Sequence, residues 1–140
     1  MKQLFVFLSL SLSTHCFAEK VIWSGDVSSD GTPTKAVELT LEKQYQIRVK
    51  GTVNLGKWWQ AGKPLEEDAC YEFNTPSGPQ KNETLMNSIQ ISVCDGKFHE
   101  DHVYTSPTFT AKQNKVHFWI NDEDYSDNTG SLRLQILQVE

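Results

Sequence analysis

The chain has 140 residues, 38% of them hydrophobic, and a formal net charge of −5 from 18 acidic and 13 basic side chains. That length supplies the core of one domain and leaves no room for a second. The acidic balance, with only Arg48 and Arg133 among scattered lysines, argues against nucleic acid as a partner, because phosphate binding depends on clustered Lys and Arg.

The first eighteen residues have the three-part form of a secretory signal peptide: Lys2, an apolar run over residues 4–12, and a short stretch ending Cys16-Phe17-Ala18. The expected division is residues 1–18 as signal peptide, cut after Ala18, and 19–140 as the mature domain. The apolar run falls well short of the roughly 20 residues that cross a bilayer as a helix, so no membrane span is expected. His15 before Cys16 speaks against a lipoprotein signal. Losing Lys2 makes the net charge −6, and the cysteines left are Cys70 and Cys94. An even pair in an exported chain predicts a structural disulfide and a secreted or periplasmic protein.

From there the apolar residues recur with period two, the mark of half-buried strands. Trp23, Gly25 and Val27 open the series. Val37, Leu39 and Leu41 follow, then Tyr45, Ile47, Val49 and Val53 beyond a turn at residues 42–44. Residues 55–70 do not alternate and read as a long irregular loop. Trp58 and Trp59 are neighbours, so in a strand they would face opposite ways. One of them lies at a surface, either covering a sheet edge or offering a face on which a sugar ring stacks. Ile89, Ile91 and Val93 predict a further strand. Val116, Phe118 and Ile120, then Leu132, Leu134 and Ile136, predict a closing hairpin. Turn residues such as Asp30-Gly31, Pro76, Gly78, Asp95-Gly96 and Gly130 punctuate the runs. The pattern predicts an all-β, antiparallel two-sheet β-sandwich, of jelly-roll or immunoglobulin-like kind.

Between the last two strands, Asp122, Glu123, Asp124, Asp127 and Asn128 crowd into one loop that ends at Gly130. Calcium takes six to eight oxygen ligands, so a sharply turned, oxygen-rich segment is a candidate site, although the spacing is not that of an EF-hand. The plain alternative is a solvated turn with Asx bonds at Asp127 and Asn128. Two other clusters carry less. His99 and His102 flank Glu100 and Asp101, which suits either a metal site or a polar loop. The run Glu66-Glu67-Asp68 reads as solvated loop acids rather than a glycosidase pair. With no nucleophile elbow and no HExxH motif, catalysis is not expected.

The run Ile120-Asn121-Asp122, followed by Asp127-Asn128-Thr129-Gly130-Ser131-Leu132, resembles the C-terminal signature of the galactophilic bacterial lectin family typified by the PA-I lectin. Trp23, Gly25 and Val27 match that family's opening more loosely. The resemblance implies a galactose-binding-like jelly roll holding one calcium ion through Asp122, a carbonyl near Tyr125, Asp127, Asn128 and the carbonyl of Leu55. It further implies carbohydrate coordinated to the ion, with Asp122, Trp58, Trp59 and Gln60 near the sugar, and a possible homo-oligomer gaining avidity from several sites. The loop is shorter here than in the galactose-binding members, and residues 57–72 hold no histidine where the family has one, so galactose specificity does not carry over. The alternative function is a non-catalytic protein-interaction or adhesion module that keeps the fold without binding sugar.

Overall fold

The computed structural model describes residues 18–57 and 64–140. These residues form strands and turns without a helix, so none is long and apolar enough to cross a membrane. The strands are β1 (Glu19–Ser28), β2 (Val37–Glu38), β3 (Gln44–Lys50), β4 (Val53–Lys57), β5 (Pro64–Glu67), β6 (Tyr71–Glu72) and β7 (Gln80–Lys81). They continue as β8 (Leu85–Asn87), β9 (Val103–Thr105), β10 (Phe109–Thr110), β11 (Lys115–Val116), β12 (Phe118–Ile120), β13 (Asn128–Thr129) and β14 (Ser131–Val139).

One layer is the antiparallel sheet β1-β14-β3, whose far edge is shared by β9 and β10 in succession. Between those two short strands the ladder is carried by Ser106, whose amide donates to the Ile47 carbonyl at 2.8 Å and whose Oγ accepts from the Ile47 amide at 2.9 Å. The other layer joins three pieces: β2 with β11, β8 with β12, and the run β13-β4-β5-β6-β7. A bond from the Asn121 amide to the Thr84 carbonyl extends the β8/β12 pair, and one from the Thr84 amide to the Ala69 carbonyl ties that pair to the turn between β5 and β6.

The core lies between the layers. Val27, Tyr45, Ile47, Val49, Leu132, Leu134 and Ile136 from one side meet Val116, Phe118, Ile120, Leu85 and Val53 from the other, each at most 3% exposed. These are the period-two rows of the sequence, because residues two apart on a strand share a face. The disulfide Cys70–Cys94 is formed, with the Cα atoms 5.6 Å apart. The expected all-β antiparallel sandwich is the fold observed.

Four local expectations are corrected. Residues 89–93 are not a strand; the strand is β8, just upstream. There the Asn87 side chain accepts from the amides of Ile89 and Ile91 and donates to the Ile91 carbonyl, so it closes a loop in place of a ladder. Leu41 is 52% exposed, outside the two-residue β2. Residues 55–70 contain the β4/β5 pair instead of one irregular loop, its alternation broken by a register shift between Asn54 and Lys57. The closing segments form no hairpin: β12 pairs β8 while β14 pairs β1 and β3, so the acidic loop crosses from one layer to the other.

Candidate functional site

The crossing loop is built from its own side chains. The Asp122 amide donates to Tyr125 Oη at 3.1 Å, and the Asn128 amide donates to the Tyr125 carbonyl at 3.3 Å, which folds residues 122–128 into a tight arch. Behind the arch the Tyr125 ring lies against Gly31, where a Cβ would come within 2.6 Å of it. Asn128 and Thr129 then pair with Leu55 and Asn54 as β13, which draws β4 to the loop. The Asp127 carboxylate packs on the bare Cα of Gly56, a glycine at φ 95°. A side chain there would strike the carboxylate and would strain the backbone.

Asp122 and Asn128 are in direct contact. Asn128 Nδ2 donates to Asp122 Oδ2 at 2.8 Å and to the Ser29 carbonyl at 2.9 Å, while Asp122 Oδ1 accepts from the Glu123 amide at 2.7 Å. These bonds fix the amide's orientation, because both of its partners are acceptors. Among the described residues, Asn128 Oδ1 is left buried with no hydrogen-bond partner. An unpaired buried acceptor is rare and asks for an explanation. Asp122 is half-buried and Asp127 is exposed. Asp124 faces outward, and bonds from the Ser126 hydroxyl and amide hold its carboxyl below the usual carboxylate range.

Of the sequence-predicted set, therefore, Asp122 and Asn128 are in contact, Asn128 pairs with Leu55, and Asp127 packs beside them against Gly56 of β4. The Tyr125 carbonyl is committed to closing the arch. Trp58, Trp59 and Gln60 lie outside the described residues. The available donors are all oxygens, which suits a hard cation. Among the described residues no three His, Cys, Asp or Glu side chains converge as a metal-holding group, so a cation here would lean on amide and carbonyl oxygens as much as on carboxylates.

The acids of residues 66–68 are not the solvated cluster expected. Glu66 is exposed, but Glu67 and Asp68 are 1% and 0% exposed. Asp68 is fully satisfied: Oδ1 accepts from the amides of Cys70 and Tyr71, and Oδ2 binds the Tyr104 hydroxyl at 3.0 Å and His102 Nδ1 at 2.9 Å. Burial pushes the Tyr104 hydroxyl's pKa upward. His99 instead meets Asp95 at 2.8 Å. The two imidazoles thus serve different carboxylates and form no shared metal site. Glu67 Oε1 accepts from Asn82 Nδ2 at 2.8 Å, while Oε2 is buried without a partner among the described residues. Desolvation, assisted by the charges of Glu72, Asp122 and Asp68, pushes Glu67 up to about 7. Nothing in the spacing of an exposed-looking Glu-Glu-Asp run marks Glu67 as interior; only its pairing with Val53 across the ladder places it on the buried face.

No family model matches the chain, and no curated relative is found. A solved structure does match: the EclA N-terminal domain, a PllA-like lectin. It aligns with a TM-score of 0.57 at 16% sequence identity, over 84% of this chain and 97% of that one. The two share a β-sandwich fold.

Proposed function

We propose that this protein is an exported, calcium-dependent carbohydrate-binding module of the galactophilic lectin type, made as a signal peptide (residues 1–18) and one domain (19–140). The observation that carries the reading is the buried, unpartnered Asn128 Oδ1 beside the Asp122 carboxylate. A divalent ion ligated there would supply the missing partner, with Asp122, Asn128, Asp127 and the Leu55 carbonyl as its holders. When bound, such an ion offers open coordination positions to a pair of sugar hydroxyls. The chain's own part is to fix the amide through Ser29, hold the arch with Tyr125 and keep β4 close through Gly56. The disulfide fits an oxidising compartment. The lectin fold of the EclA domain supports the carbohydrate, and Trp58, Trp59 and Gln60 remain the proposed flank of the sugar. A glycan array run in calcium and again in chelator tests the reading: spots that appear only with calcium support it, and an array blank in both conditions refutes it.

A second reading, a calcium-free interaction or adhesion module, draws on one observation. Both Asp122 oxygens already accept hydrogen bonds within the loop, so the arch holds its shape without an ion. Equal binding of a partner in calcium and in chelator would favour it.

A further inference from the structure

We propose that the outer face of the β1-β14-β3-β9 sheet carries a second binding site, independent of calcium, for an acidic sugar unit bearing a sulfate or carboxylate group. The register of the sheet assembles it. Arg133 stands directly across from Lys50, and Arg48 directly across from Gln135 two residues along, so both arginines of the chain and a lysine share one surface. Ser24 pairs with Gln135 on the β1 side, and Val103 with Lys50 on the β9 side. Together Ser24, Arg48, Lys50, Val103, Arg133 and Gln135 line a depression of about 300 Å³, at the small end of ligand pockets and the scale of a single sugar ring.

Like charges directly opposite in a ladder repel, and an anion between Arg133 and Lys50 removes that repulsion. Two carboxylates border the site without filling it. Glu19 meets Arg48 Nη2 at 3.1 Å and Asp26 meets Arg133 Nη1 at 3.2 Å. The Thr105 hydroxyl accepts from Arg48 Nε at 3.3 Å. These bonds anchor each guanidinium by one side and, among the described residues, leave Arg48 Nη1 and Arg133 Nη2 for an oxyanion, which arginine forks grip well. The Lys50 ammonium is exposed. The Gln135 amide and the Ser24 hydroxyl supply neutral hydrogen-bonding groups of the kind that sugar hydroxyls need. With Glu19 and Asp26 set against Arg48, Arg133 and Lys50, this surface keeps one net positive charge on a chain whose overall charge is −5, which favours an anionic ligand over a neutral one.

The sugar part of the proposal rests on the carbohydrate reading above, and the experiment keeps the two apart by working in chelator, where the calcium-dependent site is silent. The full chain is titrated by calorimetry with glucuronic acid, glucose 6-sulfate, glucose and inorganic sulfate, and with anionic phosphatidylserine vesicles. The expected result is binding of both acidic sugars that weakens with added salt, no response to glucose, and sulfate weaker than glucose 6-sulfate. The double variant Lys50→Gln, Arg133→Gln, whose side chains are exposed, should melt like the parent and lose at least about tenfold in affinity. Lys50→Gln alone should lose several-fold, which keeps the test open if the double variant misfolds. Unchanged affinity in the variants, equal binding of glucose, sulfate as tight as the sulfated sugar, or a preference for vesicles would each overturn the proposal.

Discussion

Folding places the Glu67 carboxyl out of reach of water, with only Asn82 among the described residues donating to it and with Glu72, Asp122 and Asp68 all adding charge of its own sign. Its folded pKa, about 7, lies above the ordinary 4.5. The folded state therefore holds a proton that the unfolded chain has released, and stability is full below the ordinary value and falls as pH rises toward about 7. Glu67→Gln keeps the acceptor for Asn82 and removes the charge. In calcium-free buffer the variant should outlast the parent near pH 8 in urea, by on the order of 3 kcal/mol, and the advantage should vanish near pH 4. Equal stability at both pH values would show that Glu67 is not held protonated by the fold. Gly56 offers a second test at this scale. Gly56→Ala puts a methyl group into the Asp127 carboxylate at a positive φ, and should cost roughly 1–3 kcal/mol in thermal unfolding. It should also disturb the β4/β13 pairing, visible as shifted backbone resonances at Asn54, Leu55, Asn128 and Thr129; an unperturbed spectrum would contradict the contact.

The strand rows that could be read from the sequence are the ones with a single buried face. β3 and β12, β1 from Trp23 onward and β14 as far as Ile136 alternate because their inner residues meet the opposite layer while their outer residues stay more accessible. Where a side chain replaces the ladder, as Asn87 does over residues 87–91, the alternation of Ile89 and Ile91 survives without a strand. Where a bulge interrupts the ladder, as at Gly56, a real pair of strands loses its pattern. Pairing partners are farther from view still, since nothing in the rows themselves says that β12 joins β8 and β14 joins β1. The disulfide was legible because setting aside the expected leader leaves only two cysteines. It ties the β5/β6 corner to residue 94, and Cys70→Ser should lower unfolding free energy by roughly 3 kcal/mol in oxidising buffer. An unchanged denaturation midpoint would mean that the bridge constrains nothing the ladders do not already hold.

Across the molecule, the sandwich serves to bring segments remote in sequence to one end: Ser29 after β1, Leu55 on β4 and the arch at 122–128 meet only because the chain changes layers there. The composition of the loop pointed to Asp122, Asp127 and Asn128. The contribution of Ser29, the support from Gly31 and Gly56 and the acid at Glu67 depend on packing between layers, which no local pattern encodes. The central claim is that this junction seats a divalent ion. Calorimetric titration of calcium into chelator-stripped protein tests it most directly, with the melting temperature followed in parallel. The account predicts one saturable site per chain, a rise in melting temperature, and loss of both in Asp122→Ala while that variant still folds. No heat and no rise in melting temperature at millimolar calcium would contradict it.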